Sequence, residues 1–187
     1  MKQFLLVLLS IFIILLTISC SSVTSKYPLS ANPEPIDQKN FEGVWQVDND
    51  EVVQIKFANN GIAMIAGLEW QSDQFIIMRG EMIVSEGNEH NFLSIRFKEK
   101  GKWMDGYLFL PYKFTEQGDL ILWPPVVDAF EEAIREKILQ GTIEMGEYST
   151  SIMLTSSPEK LFNFINNSDN FNLFDYRDPI ILLKVTR

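Results

Sequence analysis

The sequence predicts a mainly β fold: an antiparallel meander expected to close into a small barrel, with two short helices in the C-terminal half. Three observations predict it. Apolar and polar residues alternate at period two in Glu51–Phe57 and again in Phe92–Lys98. Short turn sequences such as Asn59-Asn60-Gly61 and Glu116-Gln117-Gly118-Asp119 separate consecutive apolar runs. Helical spacing of apolar residues appears only beyond Pro124-Pro125.

Taken in order, the first strand opens at Val44, and the second places Val53, Ile55 and Phe57 on one face. Asn-Gly between that strand and Ile62-Ala63-Met64-Ile65 is the strongest short-range hairpin signal. In Phe92–Lys98, Leu93, Ile95 and Phe97 stand opposite Ser94, Arg96 and Lys98. A turn at Glu99-Lys100-Gly101-Lys102 leads into a strand from Trp103 to Phe114, and the next strand is Leu120-Ile121-Leu122-Trp123. Val127, Phe130, Ile134 and Ile138 recur at helical spacing, with Gly141 expected as the residue just past the helix end. Thr142 to Thr155 reads as one more strand. Ser156-Ser157-Pro158-Glu159 reads as a capping box opening a helix that runs to about Asn166. Ile180 to Val185 is a strand apolar on both faces, so cover is expected on both sides. Consecutive short-turned strands pair with their neighbours, and closure removes the edges that a meander leaves exposed.

The chain has 187 residues and a formal net charge of −9, with 25 acidic against 16 basic side chains. That length allows one domain. Fourteen Phe, five Tyr and four Trp supply a substantial core. The acidic balance, without any Lys/Arg run, argues against a nucleic-acid partner. One Cys excludes an intramolecular disulfide, and one His leaves little for a histidine-based metal or catalytic site. Met1-Lys2-Gln3 followed by the apolar run Phe4–Leu16 has the proportions of a secretory leader, too short for the ~20 residues of a comfortable bilayer span. Residues 1–19 are therefore expected to be a removed signal peptide, 20–40 an anchor and flexible tether rich in Ser, Pro and Asn, and 41–187 a single β-rich domain.

Leu16-Thr17-Ile18-Ser19-Cys20 resembles the lipobox of bacterial lipoproteins, with Thr17 where that family more often has Leu. The resemblance covers the first 20 residues. It implies that Cys20 is acylated and becomes the mature N-terminus, a membrane anchor through several acyl chains. Ser21, rather than Asp, after the cysteine implies the outer membrane facing the periplasm. Phe41-Glu42-Gly43-Val44-Trp45, following Asp37, resembles the F-x-G-x-W start of lipocalins. That resemblance implies a glycine permitting a tight bend into the first strand, a tryptophan plugging one barrel end, and a basic residue of the last strand, Lys184 or Arg187, packed on it. The chain departs from that family in lacking a T-D-Y element and in carrying two helices.

No nucleophile elbow, P-loop, dinucleotide fingerprint, zinc-protease motif or C-x-x-C occurs, and no cofactor is expected. Asp48-Asn49-Asp50 has Val53 where a calcium loop needs glycine, so it reads as a turn. Glu86, Glu89 and His90 read as a solvated loop in preference to a metal site. Asp175-Tyr176-Arg177-Asp178 reads as a surface turn with an ion pair in preference to a glycosidase carboxylate pair. Trp45, Trp70, Trp103, Trp123, Phe75, Tyr107 and Phe109 either line a cavity or fill a barrel, and the filled core is the stronger expectation. The resulting expectation is a non-catalytic lipoprotein domain. First in rank is a binder of a small apolar ligand or lipid, which calls for a cavity of about 300 Å³. A scaffold for another envelope protein is second, and a carboxylate-based hydrolase third.

Overall fold

The computed structural model describes residues 21–30, 37–48, 51–71, 73–99, 101–166 and 172–185. Its main body is an eight-stranded antiparallel barrel. Around the barrel run β2 (Gly43–Asp48), β3 (Glu51–Phe57), β4 (Ala63–Gln71), β5 (Gln74–Ser85), β6 (Asn91–Glu99), β8 (Leu108–Phe114), β9 (Leu120–Leu122) and β12 (Ile180–Lys184). The ring closes where β12 pairs with β2, at Lys184 opposite Trp45. The expected barrel is thus the observed one.

Alternation fixes which side chains face inward. Val53 and Ile55 of β3 lie opposite Gly67 and Ile65 of β4, which in turn lie opposite Met78 and Gly80 of β5. Because the side-chain period is two, this register carries the apolar half of each strand into one interior. Gln74–Ser85 has no counterpart in the periodicity reading. Ile76-Ile77 and Met82-Ile83-Val84 are apolar in succession, which hides the alternation, and the last four residues are buried on both faces.

The second face of that wall is covered by a smaller layer. Its sheet has the order β1 (Ser22–Ser25), β11 (Thr150–Leu154), β10 (Gly141–Met145), with β1 parallel to β11. The helices α2 (Val127–Arg135) and α3 (Pro158–Ile165) belong to this layer. Val23, Ile152, Leu154, Phe130 and Leu161 meet the outward-facing Phe92 and Phe109 of the barrel in a second apolar core, with the Phe109 and Phe130 rings 5.4 Å apart.

Several local expectations are corrected. Ser21 to Asn40 was expected to be a tether, but its described parts are built into the body. Ser22–Ser25 is a strand, Val23 and Leu29 are buried, and α1 (Gln38–Phe41) begins within it. The folded part therefore starts before residue 41. Polar Ser22 and Thr24 alternate with buried Val23 and Ser25, a pattern too short to read without its partner strand. The expected strand from Trp103 to Phe114 is two pieces, β7 (Lys102–Trp103) and β8, on the same edge of β6. Between them Tyr107 exchanges backbone hydrogen bonds with Ser25, donating at 2.7 Å and accepting at 2.8 Å. A side chain at Gly106 would stand 3.1 Å from Thr24 Cβ, so a glycine lets the small sheet approach there.

Thr142 to Thr155 is a hairpin and not a single strand. Helix α2 stops at Arg135, well before Gly141. Lys137 takes the left-handed conformation (φ 63°), its N–H donating to Ile134 O and that of Ile138 to Ala133 O. This is a Schellman ending with lysine in the position that glycine favours. Gly141 instead starts β10, where a Cβ would meet Ile134 and the Met153 carbonyl at 2.8 Å. At α3 the cap is Ser157, whose Oγ accepts from Lys160 N, while Ser156 Oγ accepts from Gln140 N. The capping box therefore does not form: the third helical position holds Lys160 and not Glu159. Finally, β12 is covered on one face only. Leu182 is buried, whereas Ile181 and Leu183 are exposed.

Candidate ligand cavity

One end of the barrel is stoppered. Helix α1 brings Phe41 across it, with ring centroids 4.8 Å from Phe114 and 5.0 Å from Tyr112, both in edge-on geometry. The chain then enters β2 through Gly43 at φ 138°, a conformation that side chains resist. Trp45 follows, fully buried, and its indole Nε1 donates to Phe41 O at 2.7 Å. Lys184 Nζ stands 5.0 Å from the Trp45 ring centroid and donates to Asn40 O at 2.6 Å. A cation over an aromatic face is thereby held in place by a helix-end carbonyl. This is the Gly, Trp and Lys184 arrangement expected at the strand opening; Arg187 lies outside the described residues. Tyr112 Oη donates to Asp37 Oδ2 at 3.0 Å, tying the start of α1 to β8. Burial, then the Asp37 charge, pushes the Tyr112 phenol well above its ordinary range.

Above this stopper lies an apolar cavity of about 200 Å³. Its walls are Val53, Ile55, Ile65, Met82, Leu93, Ile95, Leu110, Leu120, Leu122 and Leu182. Toward the strand ends remote from Trp45 the lining continues through Val47, Glu51, Met78, Phe97, Leu108 and Ile180. Glu51 is the single charged lining residue among those described. Gly67 also faces in, and a Cβ there would come within 3.2 Å of Met78 Cε and Val53 Cγ1. The space exists partly because that position has no side chain, and it is flanked by two methionines, Met78 and Met82, whose flexible thioethers adapt to an occupant. Periodicity identified Val53, Ile55, Leu93 and Ile95 as one face. It missed Gly67, Met78 and Met82, for which an isolated glycine inside a strand was the available signal.

The aromatic set does not line this cavity. Only Trp45 is inside the barrel, as its plug. Trp70 and Phe75 stack edge-on at 4.8 Å on the exposed β4–β5 hairpin. Trp103 and Tyr107 flank the Arg96 guanidinium at 4.7 and 4.6 Å on the outer wall. Arg96 there also pairs with Glu81 at 2.8 Å. Burial, then the hydrogen bond Tyr107 Oη donates to Glu81, pushes that phenol up to about 12. Phe109 belongs to the second core, and Trp123 packs near His90 and Tyr176 at 6.0 and 5.2 Å.

The polar clusters are placed as follows. His90 lies among the Trp123 and Tyr176 rings, and no group of three His, Cys, Asp or Glu able to hold a metal occurs among the described residues. Asp175 pairs with Arg177 at 3.4 Å. The backbone N–H of Arg177 holds its carboxyl below the usual range. Residues 49 and 50, Cys20 and residues 1–19, on which the signal-peptide and lipobox expectations rest, lie outside the described residues. No helix among the described residues is long and apolar enough to cross a membrane. Comparison with protein-family models, with curated proteins and with solved structures finds no match for this chain.

Proposed function

We propose that the protein is a lipid-anchored envelope lipoprotein whose lipocalin-like barrel binds a small apolar ligand, the anchor being the acyl chains on Cys20 and the location the periplasmic face of the outer membrane. The observation that carries this reading is the cavity, lined by aliphatic side chains, closed at one end by Trp45 and Lys184 and bordered at the other by Leu108, Phe97 and Ile180. At about 200 Å³ it falls below the ~300 Å³ of a drug-sized pocket. It exceeds the ~150 Å³ apolar cavity that suffices for benzene. The ligand class is therefore a slender apolar molecule, or the end of one acyl chain whose polar head stays at the mouth. The binding involves no bond-making, and the ligand is held by burial alone. The test is titration with a neutral naphthylamine dye whose emission rises in apolar surroundings. Saturable binding that Leu108→Trp abolishes at the mouth supports the reading; dye emission indifferent to that substitution opposes it.

A second reading, a scaffold for another envelope protein, is favoured by a different observation. On the uncovered wall the register sets Leu183 beside Gln46, Gln46 beside Val52, Val52 beside Leu68 and Leu68 beside Ile77. The four apolar members of that row are all exposed. An exposed row that is apolar except at Gln46 is the kind of outer-face patch found at protein contact sites. Photocrosslinking from position 77 in intact cells tests it: one reproducible partner band supports the scaffold, and an unmodified band removes it.

A further inference from the structure

We infer that the β10–β11 hairpin is the part of the domain that rests on the lipid bilayer, an inference that depends on the acylation of Cys20 proposed above. The described chain begins at Ser21, whose Oγ accepts a hydrogen bond from Thr150 N at 3.1 Å. Ser22 is in parallel register with Ser151, and its Oγ lies 3.3 Å from that of Ser151. The chain therefore enters the fold directly beside the N-terminal end of β11, where the turn from β10 arrives. Covalent geometry leaves only one Cα–Cα step of about 3.8 Å between Ser21 and Cys20. An acylated Cys20 thus has no tether, and whatever surrounds Thr150 is drawn to the membrane with it.

What surrounds Thr150 is suited to that place. Met145 at the end of β10 and Tyr148 in the turn are among the most exposed large apolar side chains of the described residues, 67% and 59% accessible. Tyrosine favours the membrane–water interface, where its ring is apolar and its hydroxyl meets polar groups. Glu144 and Glu147 flank them, and Glu147 Oε1 accepts a hydrogen bond from Tyr148 Oη at 2.6 Å. Two carboxylates suit a shallow seat at the headgroups, preferably zwitterionic ones, and oppose deeper insertion. The occupant of this tip is the bilayer that holds the acyl chains.

The sole cysteine makes the test direct, because acylation blocks its sulfur and a second cysteine is then the only labelling site. Full-length protein carrying Tyr148→Cys, and separately Glu116→Cys in the β8–β9 turn, is labelled with an environment-sensitive fluorophore. Each is placed in zwitterionic phosphatidylethanolamine/phosphatidylcholine vesicles with brominated acyl chains. The expected result is a blue-shifted label at position 148, quenched at least about twofold more than the label at 116. Equal quenching in protein whose intact mass includes the acyl groups overturns this inference alone. An intact mass without acyl groups overturns the anchoring on which it rests.

Discussion

The stopper makes Trp45 and Trp70 energetically unlike, although each is a tryptophan on a barrel strand. Trp45→Phe removes the indole N–H and leaves Phe41 O, to which it donates at 2.7 Å, buried without that partner. Stranding a buried acceptor costs about 1–3 kcal/mol. The smaller ring leaves a void in a site with no accessible surface, adding about 1 kcal/mol. Together the loss is about 2–4 kcal/mol, and with a urea dependence of ~2 kcal/mol/M the midpoint falls by about 1–2 M. Trp70 is 47% exposed and, among the described residues, stacks only on Phe75, so Trp70→Phe costs within ~0.5 kcal/mol and moves the midpoint by less than about 0.3 M. Far-UV circular dichroism of both variants against urea makes the comparison without using tryptophan emission. Equal shifts would refute the assignment of Trp45 as a buried plug.

Other consequences follow from named positions. Gly43→Ala forces a side chain onto φ 138° and Gly118→Ala forces one onto φ 88°, so each is expected to cost about 1–3 kcal/mol by the same urea assay, the second despite the open space around it. Lys137→Gly relieves a left-handed lysine at the end of α2 and is expected to stabilise the protein by about 1 kcal/mol, read as a higher melting temperature. For pH, burial and then Glu81 raise Tyr107 from 10.0 to about 12, and burial and then Asp37 raise Tyr112 further. The folded state keeps protons that the unfolded chain releases, so their contribution is full below pH 10 and is lost as pH rises through the folded-state values. Urea midpoints at pH 9, 10 and 11 should therefore fall, and Tyr107→Phe should flatten the fall.

The parts of the fold that were legible in the sequence are those with local signals. Period-two alternation marks β3 and β6 because one face of each meets the interior and much of the other is polar. Asn59-Asn60-Gly61 marks the β3–β4 hairpin, with Gly61 at φ 79°. The Phe41, Gly43, Trp45 spacing and Lys184 anticipated the stopper, since that arrangement depends on side-chain types that few other settings require. The unread parts depend on distant partners. Strand β5 is masked by apolar residues on both faces, because its far half is walled by the second layer. Strand β1 is four residues whose pairing partner lies 129 positions away, so composition alone made it resemble a linker. The cavity depends on which inward positions are left small, and that is fixed by the register of Gly67 between Val53 and Met78, not by any motif.

The central claim is that the barrel interior is a ligand site above a fixed stopper. Native mass spectrometry of the chain from Ser21 to Arg187, secreted to the periplasm and purified without detergent, tests it most directly. The account predicts a reproducible added mass that disappears on denaturation, is identifiable as a small apolar molecule, and is absent from the Leu108→Trp variant. A bare polypeptide mass that persists after incubation with excess short-chain fatty alcohol would contradict it.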